Sequence, residues 1–384
     1  MYKSIIVSVV LTFVTIFPMV VSGAELISDK SVIIKAVVTD VIKEEQKEII
    51  GTNTKALEQT LKVKIIEGEE TGKVVLVVND YGRFDTGDYL YLNHNVRAED
   101  GYETYMVHDA YRINTMVILL VLFLFLVVVI GGVQGVRGLL SLFGSLVLII
   151  FVLLPLVLKG YSPVLVSVIV SSCIIVIGSY VTHGLNKTTS SAVIGMIITV
   201  VLTGALAYIS VNTAMLTGFS SDEAVYLNFS SKGSIDIVGI LLGGIMIGLL
   251  GVLYDVSIGQ AIAVEELRNI APHVSRYYVY KRAIRIGREH IGALVNTLAI
   301  AYVGVSLPLM LMFYDSSGSV IEIINREIFA TEIIRTIVGS IGLILAVPIT
   351  TLIAVYMLYG KIRPVNKNDI DEEMDKIEHY AHKH

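Results

Sequence analysis

Between residues 115 and 358 the chain carries seven long stretches almost free of charged side chains, and no other feature narrows its fold so far. A hydrocarbon layer about 30 Å thick is crossed by about twenty apolar residues in helical form. Within such a layer every backbone N–H and C=O needs an internal partner, so runs of this length must be helices. The expected spans are 115–130, 139–158, 163–180, 191–209, 235–253, 291–313 and 331–358. Only 16% of the 384 residues are charged, against about 25% in an average soluble domain. These observations predict a polytopic α-helical membrane protein with about seven transmembrane helices, spanning 113–360.

The first residues read differently. Lys3, an apolar run over 5–21 and the small exit Ser22-Gly23-Ala24 predict a signal peptide or signal-anchor over 1–24. Residues 25–112 then have an acidic excess and the pattern of a water-facing, mainly β domain. Segment 31–39 is rich in valine and isoleucine, 61–66 alternates around Lys62 and Lys64, and 74–78 is β-branched. Turns are expected over 67–72, 79–83 and 85–88, where Gly, Asn and Asp gather. A small β-barrel or sandwich follows. Asp80, Asp85 and Asp88 lack the ligand ladder and closing glutamate of an EF-hand, so they read as turn residues. His94 and His108 look isolated, and no metal centre or hydrolase constellation is expected. Cys173, the single cysteine, is expected as a small buried side chain.

Basic residues give the orientation. Arg137, Lys187, then Arg268, Arg276, Lys281, Arg282, Arg285 and Arg288, and finally Lys361, Arg363 and Lys367 fall on one side of the predicted spans. The other side holds Lys159, Lys232 and Arg326. By the positive-inside rule the amino-terminal domain lies outside and the 361–384 tail inside. The basic stretch 276–288 is then suited to anionic lipid headgroups rather than nucleic acid.

Polar residues near the spans are the candidate site. Asp255 follows the fifth span, and the segment 255–268 reads as an interfacial or partly re-entrant helix that also carries Gln260, Glu265 and Glu266. Glu289 and His290 open the sixth span, with Asn296 and Thr297 deeper. Such groups are costly in hydrocarbon unless paired, so they are expected to face the bundle interior. Gly239, Gly243, Gly244, Gly248 and Gly251 permit close helix approach. The Gly-rich run 131–138 lacks the lysine and hydroxyl of a phosphate loop and reads as a tight helix turn.

Three blocks carry a family resemblance: 131–140, the run Gly248-Leu249-Leu250-Gly251-Val252-Leu253-Tyr254-Asp255-Val256-Ser257, and 287–309 with Arg288-Glu289-His290 and Asn296-Thr297. From about 111 to 360 the chain resembles the YibE/F-like family of bacterial multi-pass membrane proteins. Gly259 and Ala293 depart from the serine and methionine of the family pattern. The resemblance implies a bacterial cell membrane and leaves the activity open.

The residues predict a transporter or permease-like protein for a small solute or ion. Asp255, Asn296 and Thr297 are its expected substrate contacts, and Glu265, Glu266 and Glu289 its candidates for charge or proton coupling. No Walker motif, zinc motif or cofactor site is expected, and enzymatic activity is not. The alternative is a non-transporting assembly or envelope-associated factor whose outer domain binds an envelope partner, with oligomerisation through the small-residue faces.

Overall fold

The computed structural model describes residues 30–48, 55–97, 102–272, 274–314 and 318–359. The signal segment, the tail and His273 lie outside the described residues. The chain divides into two compact units, Met1–Leu124 and Phe125–His384.

The first unit is built on five antiparallel strands: β1 (Lys30–Glu48), β2 (Lys55–Ile65), β3 (Val74–Asn79), β4 (Tyr89–Val96) and β5 (Glu103–Ala110), in the order β3-β2-β1-β4-β5. β1 is central because it pairs with β4 through its first half and with β2 through its second. Two register shifts, at Val38/Asp40 and Val41/Lys43, bend it. Alternation buries Ile34, Ala36 and Val38 against Leu61, Val63 and Ile65, with Leu90, Leu92 and Phe84 closing the core. The sandwich alternative is thus corrected. The described residues form one curled sheet, whose edges are tied by Lys73 Nζ at 2.7 Å from Glu103 Oε2.

Two buried amides organise the loop before β4. Gln59 Oε1 accepts the Phe84 N–H at 2.9 Å, and its Nε2 donates to the Phe84 carbonyl at 3.0 Å. Asn79 Nδ2 donates to Gln59 Oε1 at 3.1 Å. Gln59→Leu strands the Phe84 N–H in the core. It is expected to cost the sheet about 2 kcal/mol, read as earlier proteolysis of residues 30–110 during heating.

The edge clasp has a pH window. Hydrogen bonds from Lys73 and then Tyr105 hold the Glu70 and Glu103 carboxyls below their usual 4.5. Glu103, then Glu70 and Tyr105, hold the Lys73 ammonium above its usual 10.5. A lowered carboxyl contributes stability above its unfolded value and loses it as pH falls through the folded one. The raised lysine contributes below 10.5 and fails only above it. The thermal midpoint of the sheet is therefore expected to fall on acidification below pH 4.5, with a shallower acid limb in Lys73→Met.

In the second stretch of chain, α1 (Ile113–Leu148) runs through a π-helical turn (Ile149–Leu153) into α2 (Leu154–Leu158). Pro155 lacks an N–H for the ladder, which accounts for the widened turn before it. α1 is broken at Gly132, whose φ of 54° and ψ of −137° lie outside helical space. Gly135 there sits against the Val127 carbonyl, so the two arms approach closely. The expected turn over 131–138 narrows to this one residue. The other helices are α3 (Pro163–His183), α4 (Lys187–Thr213), α5 (Asp222–Ser230), α6 (Ile237–Ile270), α7 (Arg276–Val305), α8 (Leu307–Tyr314), α9 (Val320–Asn325) and α10 (Glu327–Leu358).

Among the described residues five helical segments are long and apolar enough to cross a membrane. They are Ile113–Leu158, Pro163–His183, Lys187–Thr213, Ile237–Ile270 and Glu327–Leu358. A sixth is counted if α7 and α8, bent by 63°, form one span. The segment 255–268 is not a separate re-entrant helix, because α6 continues unbroken to Ile270 ahead of Pro272.

α6 and α10 lie at the centre of the bundle. Met246, Leu249 and Leu253 of α6 pack with Met196 of α4 and Leu343 and Val347 of α10. Val279, Ala283 and Gly287 of α7 are buried, while Lys281, Arg282, Arg285 and Arg288 are exposed. Cys173, expected inside, is exposed on α3. Its helical position points away from the neighbours that bury Val170 and Ile175.

Candidate functional site

Glu265 opens the site. It lines a cavity of about 190 Å³ with His183 at the end of α3, Asn186, Thr188 and Thr189 at the start of α4, and Ile258, Ala261 and Ile262 of α6. The α4 terminus is fixed by its cap: Asn186 Oδ1 accepts the Thr189 N–H at 2.7 Å. Gly184, with φ of 79°, ends α3 and turns the chain into that cap. His183 also meets the Tyr254 ring at 6.0 Å between centroids.

Behind the cavity runs a seam of buried uncharged polar side chains. Glu265, Ala261 and Ser257 are spaced four apart on α6 and share one side of the helix. Thr350 Oγ1 donates to Ser257 Oγ at 3.3 Å, and Thr351 Oγ1 to Gln260 Oε1 at 2.9 Å. Ser191, Thr199 and Thr203 extend the polar set along α4, all buried. Thr203 Oγ1 is buried with no hydrogen-bond partner among the described residues. Glycines lie where these hydroxyls and amides cross a neighbouring helix: Gly195 against Thr350, Gly342 against Thr203 and Gly287 against Gln260. Close approach is what lets small polar groups meet across helices here.

A second cavity of about 650 Å³ lies at the other end of α10, lined mainly by apolar residues of α7 to α10 with Tyr302, Glu332 and Thr336 among them. Glu332 pairs with Arg335 at 3.5 Å. α10 thus lines one cavity with Thr336 and contributes Thr350 and Thr351 to the seam, about 21 Å further along the helix. Pro348 interrupts its backbone ladder beside the seam.

Of the residues singled out from the sequence, Glu265 enters a cavity and Gln260 enters the seam. Glu266 and Glu289 are exposed. Asp255, Asn296 and Thr297 are exposed too, rather than turned into the bundle, and Thr297 Oγ1 is spent on the Ala293 carbonyl at 2.9 Å. The reason is geometric. The buried stripe of α6 passes through Val256, Ser257 and Gln260, leaving Asp255 beside it. Sequence reasoning takes His183 only as a residue of a cytoplasmic boundary, and it gives no role to Thr188, Thr189, Thr350, Thr351, Glu332 or Arg335. An Asn-capped run of hydroxyls, and two charges inside an apolar stretch, were the available signals.

The family model described as YibE/F-like protein matches residues 119–360. The chain belongs to the YibE/F-like family. No curated protein and no solved structure matches it. Both cavities and the seam fall within the YibE/F-like match, whereas the five-stranded sheet precedes it. Family membership and the apolar helices together support a multi-pass membrane protein.

Proposed function

We propose that this YibE/F-like chain is a membrane transporter or permease for a small solute or ion. One observation carries the reading: the stripe of α6 from Glu265 in the smaller cavity to Ser257 in the buried polar seam. Uncharged hydroxyls and amides offer a polar solute weak, replaceable contacts, and Glu265 and His183 supply the groups that can balance its charge or a proton. Pro348 and the close glycine crossings supply the discontinuity that such a pathway needs.

In the same reading the break at Gly132 is a helix reversal. Residues 113–158 then make two crossings, since one continuous helix of that length would span about 69 Å. With the bent α7–α8 pair as one crossing, seven result. This places the sheet outside, Glu265 and the basic face of α7 inside, and lets that face meet anionic headgroups. Asp255, Asn296 and Thr297 lie beside the route in a single chain. As solute contacts they require a second copy or another helix to cover them.

The test is sidedness. In a Cys173→Ser background, Glu265→Cys is expected to react with a water-soluble reagent from the cytoplasmic side of sealed vesicles. Glu332→Cys is expected to react from the outer side, and an imposed proton gradient should move the two rates in opposite directions. Fixed rates under every gradient would count against transport. They would favour the assembly factor, to which the absence of any buried residue along α1 also speaks.

A further inference from the structure

His94, which reads as solitary in the sequence, is placed by the sheet between two carboxylates, one from the β2–β3 turn and one from the next strand. The β2–β3 turn brings Glu70, with Oε2 at 3.8 Å from His94 Nδ1. The first residue of β5 brings Glu103, with Oε2 at 3.8 Å from His94 Nε2. One ligand atom from each of the three residues can be chosen so that all lie within 4.8 Å of one another.

We propose that Glu70, His94 and Glu103 form a binding site for a borderline divalent cation of the zinc class on the amino-terminal sheet. Three features support it besides proximity. Among the described residues His94 Nε2 is buried without a hydrogen-bond partner and faces Glu103, a costly state that a metal bond would relieve. The ring is already oriented, because it stacks on Tyr105 with centroids 4.5 Å apart and planes inclined by 4°.

Charge is the third feature. Lys73 Nζ sits 2.7 Å from Glu70 Oε1, 2.7 Å from Glu103 Oε2 and 2.8 Å from the Tyr105 hydroxyl. The Tyr105 hydroxyl donates to Glu70 Oε2 and to Glu103 Oε2. With neutral imidazole, two carboxylates and one ammonium leave a net charge of −1, so the cluster holds one negative charge more than Lys73 cancels. An imidazole nitrogen and two carboxylate oxygens suit zinc, with a fourth position open to water. Tyr105 supplies the outer hydrogen bonds that orient ligand carboxylates. Lys73 is the competitor, and the metal must push its ammonium aside.

The competition makes the site testable. The full-length protein, purified without a histidine tag, carries His379→Ala, His382→Ala and His384→Ala so that tail histidines do not contribute. Zinc titration by calorimetry is expected to give one ion per chain. His94→Phe, which keeps a ring on Tyr105, should weaken binding at least about tenfold, as Glu103→Gln should. Lys73→Met should strengthen it by a similar factor. A merely structural clasp would show the reverse for lysine, since losing it would loosen the edge and gain nothing for zinc. Unchanged proteolysis of each variant establishes that the sheet is folded. No stoichiometric zinc, zinc binding that survives His94→Phe, or equal binding of calcium would overturn the assignment.

Discussion

Gly195→Ala is expected to cost the helical bundle about 3 kcal/mol or more, and Gly195→Val to leave no monodisperse protein. At the α4–α10 crossing an added Cβ would lie against Thr350 Oγ1, 2.9 Å from Thr350 Cα and 3.0 Å from its Cβ. The Cα cannot rotate away, so α10 itself must shift. Its inner face is filled by Leu343, Val347 and Ala354, each almost wholly buried. Thr350→Ala should therefore give little rescue.

Two other glycines calibrate the claim. Gly342→Ala meets side-chain atoms alone, Thr203 Oγ1, Thr203 Cγ2 at 2.9 Å and Leu249 Cδ2 at 3.0 Å. Thr203→Ala should recover most of its loss. Gly259→Ala meets nothing within 4 Å on an exposed helix face, and should be neutral or gain about 0.5–1 kcal/mol from helix propensity. The measurement is the thermal aggregation midpoint in detergent of the three glycine-to-alanine variants, with Gly195→Ala and Gly342→Ala also measured in combination with Thr350→Ala and Thr203→Ala, respectively. A tolerated Gly195→Ala would mean that α4 and α10 are not held at the observed separation.

The same crossing separates what the sequence discloses from what it withholds. Alternation at 61–66 and the turn Asp85-Thr86-Gly87-Asp88 are local, and both appear where the pattern predicts, the latter between Phe84 and β4. The far half of β1, Asp40 to Glu48, is almost fully exposed and charged, so no burial pattern announces it; only pairing with β2 makes it a strand. The apolar window closes before Asp255, which makes 255–268 look like a separate interfacial or re-entrant helix. A helix, however, stops when its backbone is blocked, and α6 runs on until Ala271 and Pro272.

The site follows the same division. Glu265 was visible as a charge beside an apolar stretch, but its partners come from α3 and α4, some eighty positions earlier in the chain. Thr350 and Thr351 look like ordinary helix hydroxyls until Ser257 and Gln260 are set opposite them. His94 is the extreme case. Acidic residues do lie near it in the chain, at Asp88, Glu99, Asp100 and Glu103, but only the strand pairing selects Glu103 among them and sets Glu70, twenty-four positions earlier, on its other side.

Ser257→Cys is expected to give the largest functional signal. The Ser257 side chain is wholly buried, eight residues before Glu265 and thus about 12 Å deeper along α6. If the seam is only packing, a cysteine there is reached on the timescale of global unfolding, orders of magnitude more slowly than Glu265→Cys. If the seam conducts, a minor open state exposes it, and its rate should fall only about ten- to a hundredfold below that of Glu265→Cys, the tax set by an opening of roughly 1–10% population. The double variant Ser257→Cys/Thr350→Cys sharpens the contrast, because the two hydroxyls stand 3.3 Å apart. Oxidising that pair should freeze α6 against α10 and remove any gradient dependence of labelling at Glu332→Cys, and reduction should restore it. Deep labelling that persists after the cross-link would place the water path elsewhere in the bundle. Protection of Ser257→Cys under every gradient would leave the hydroxyls as packing contacts and shift the balance to the assembly reading.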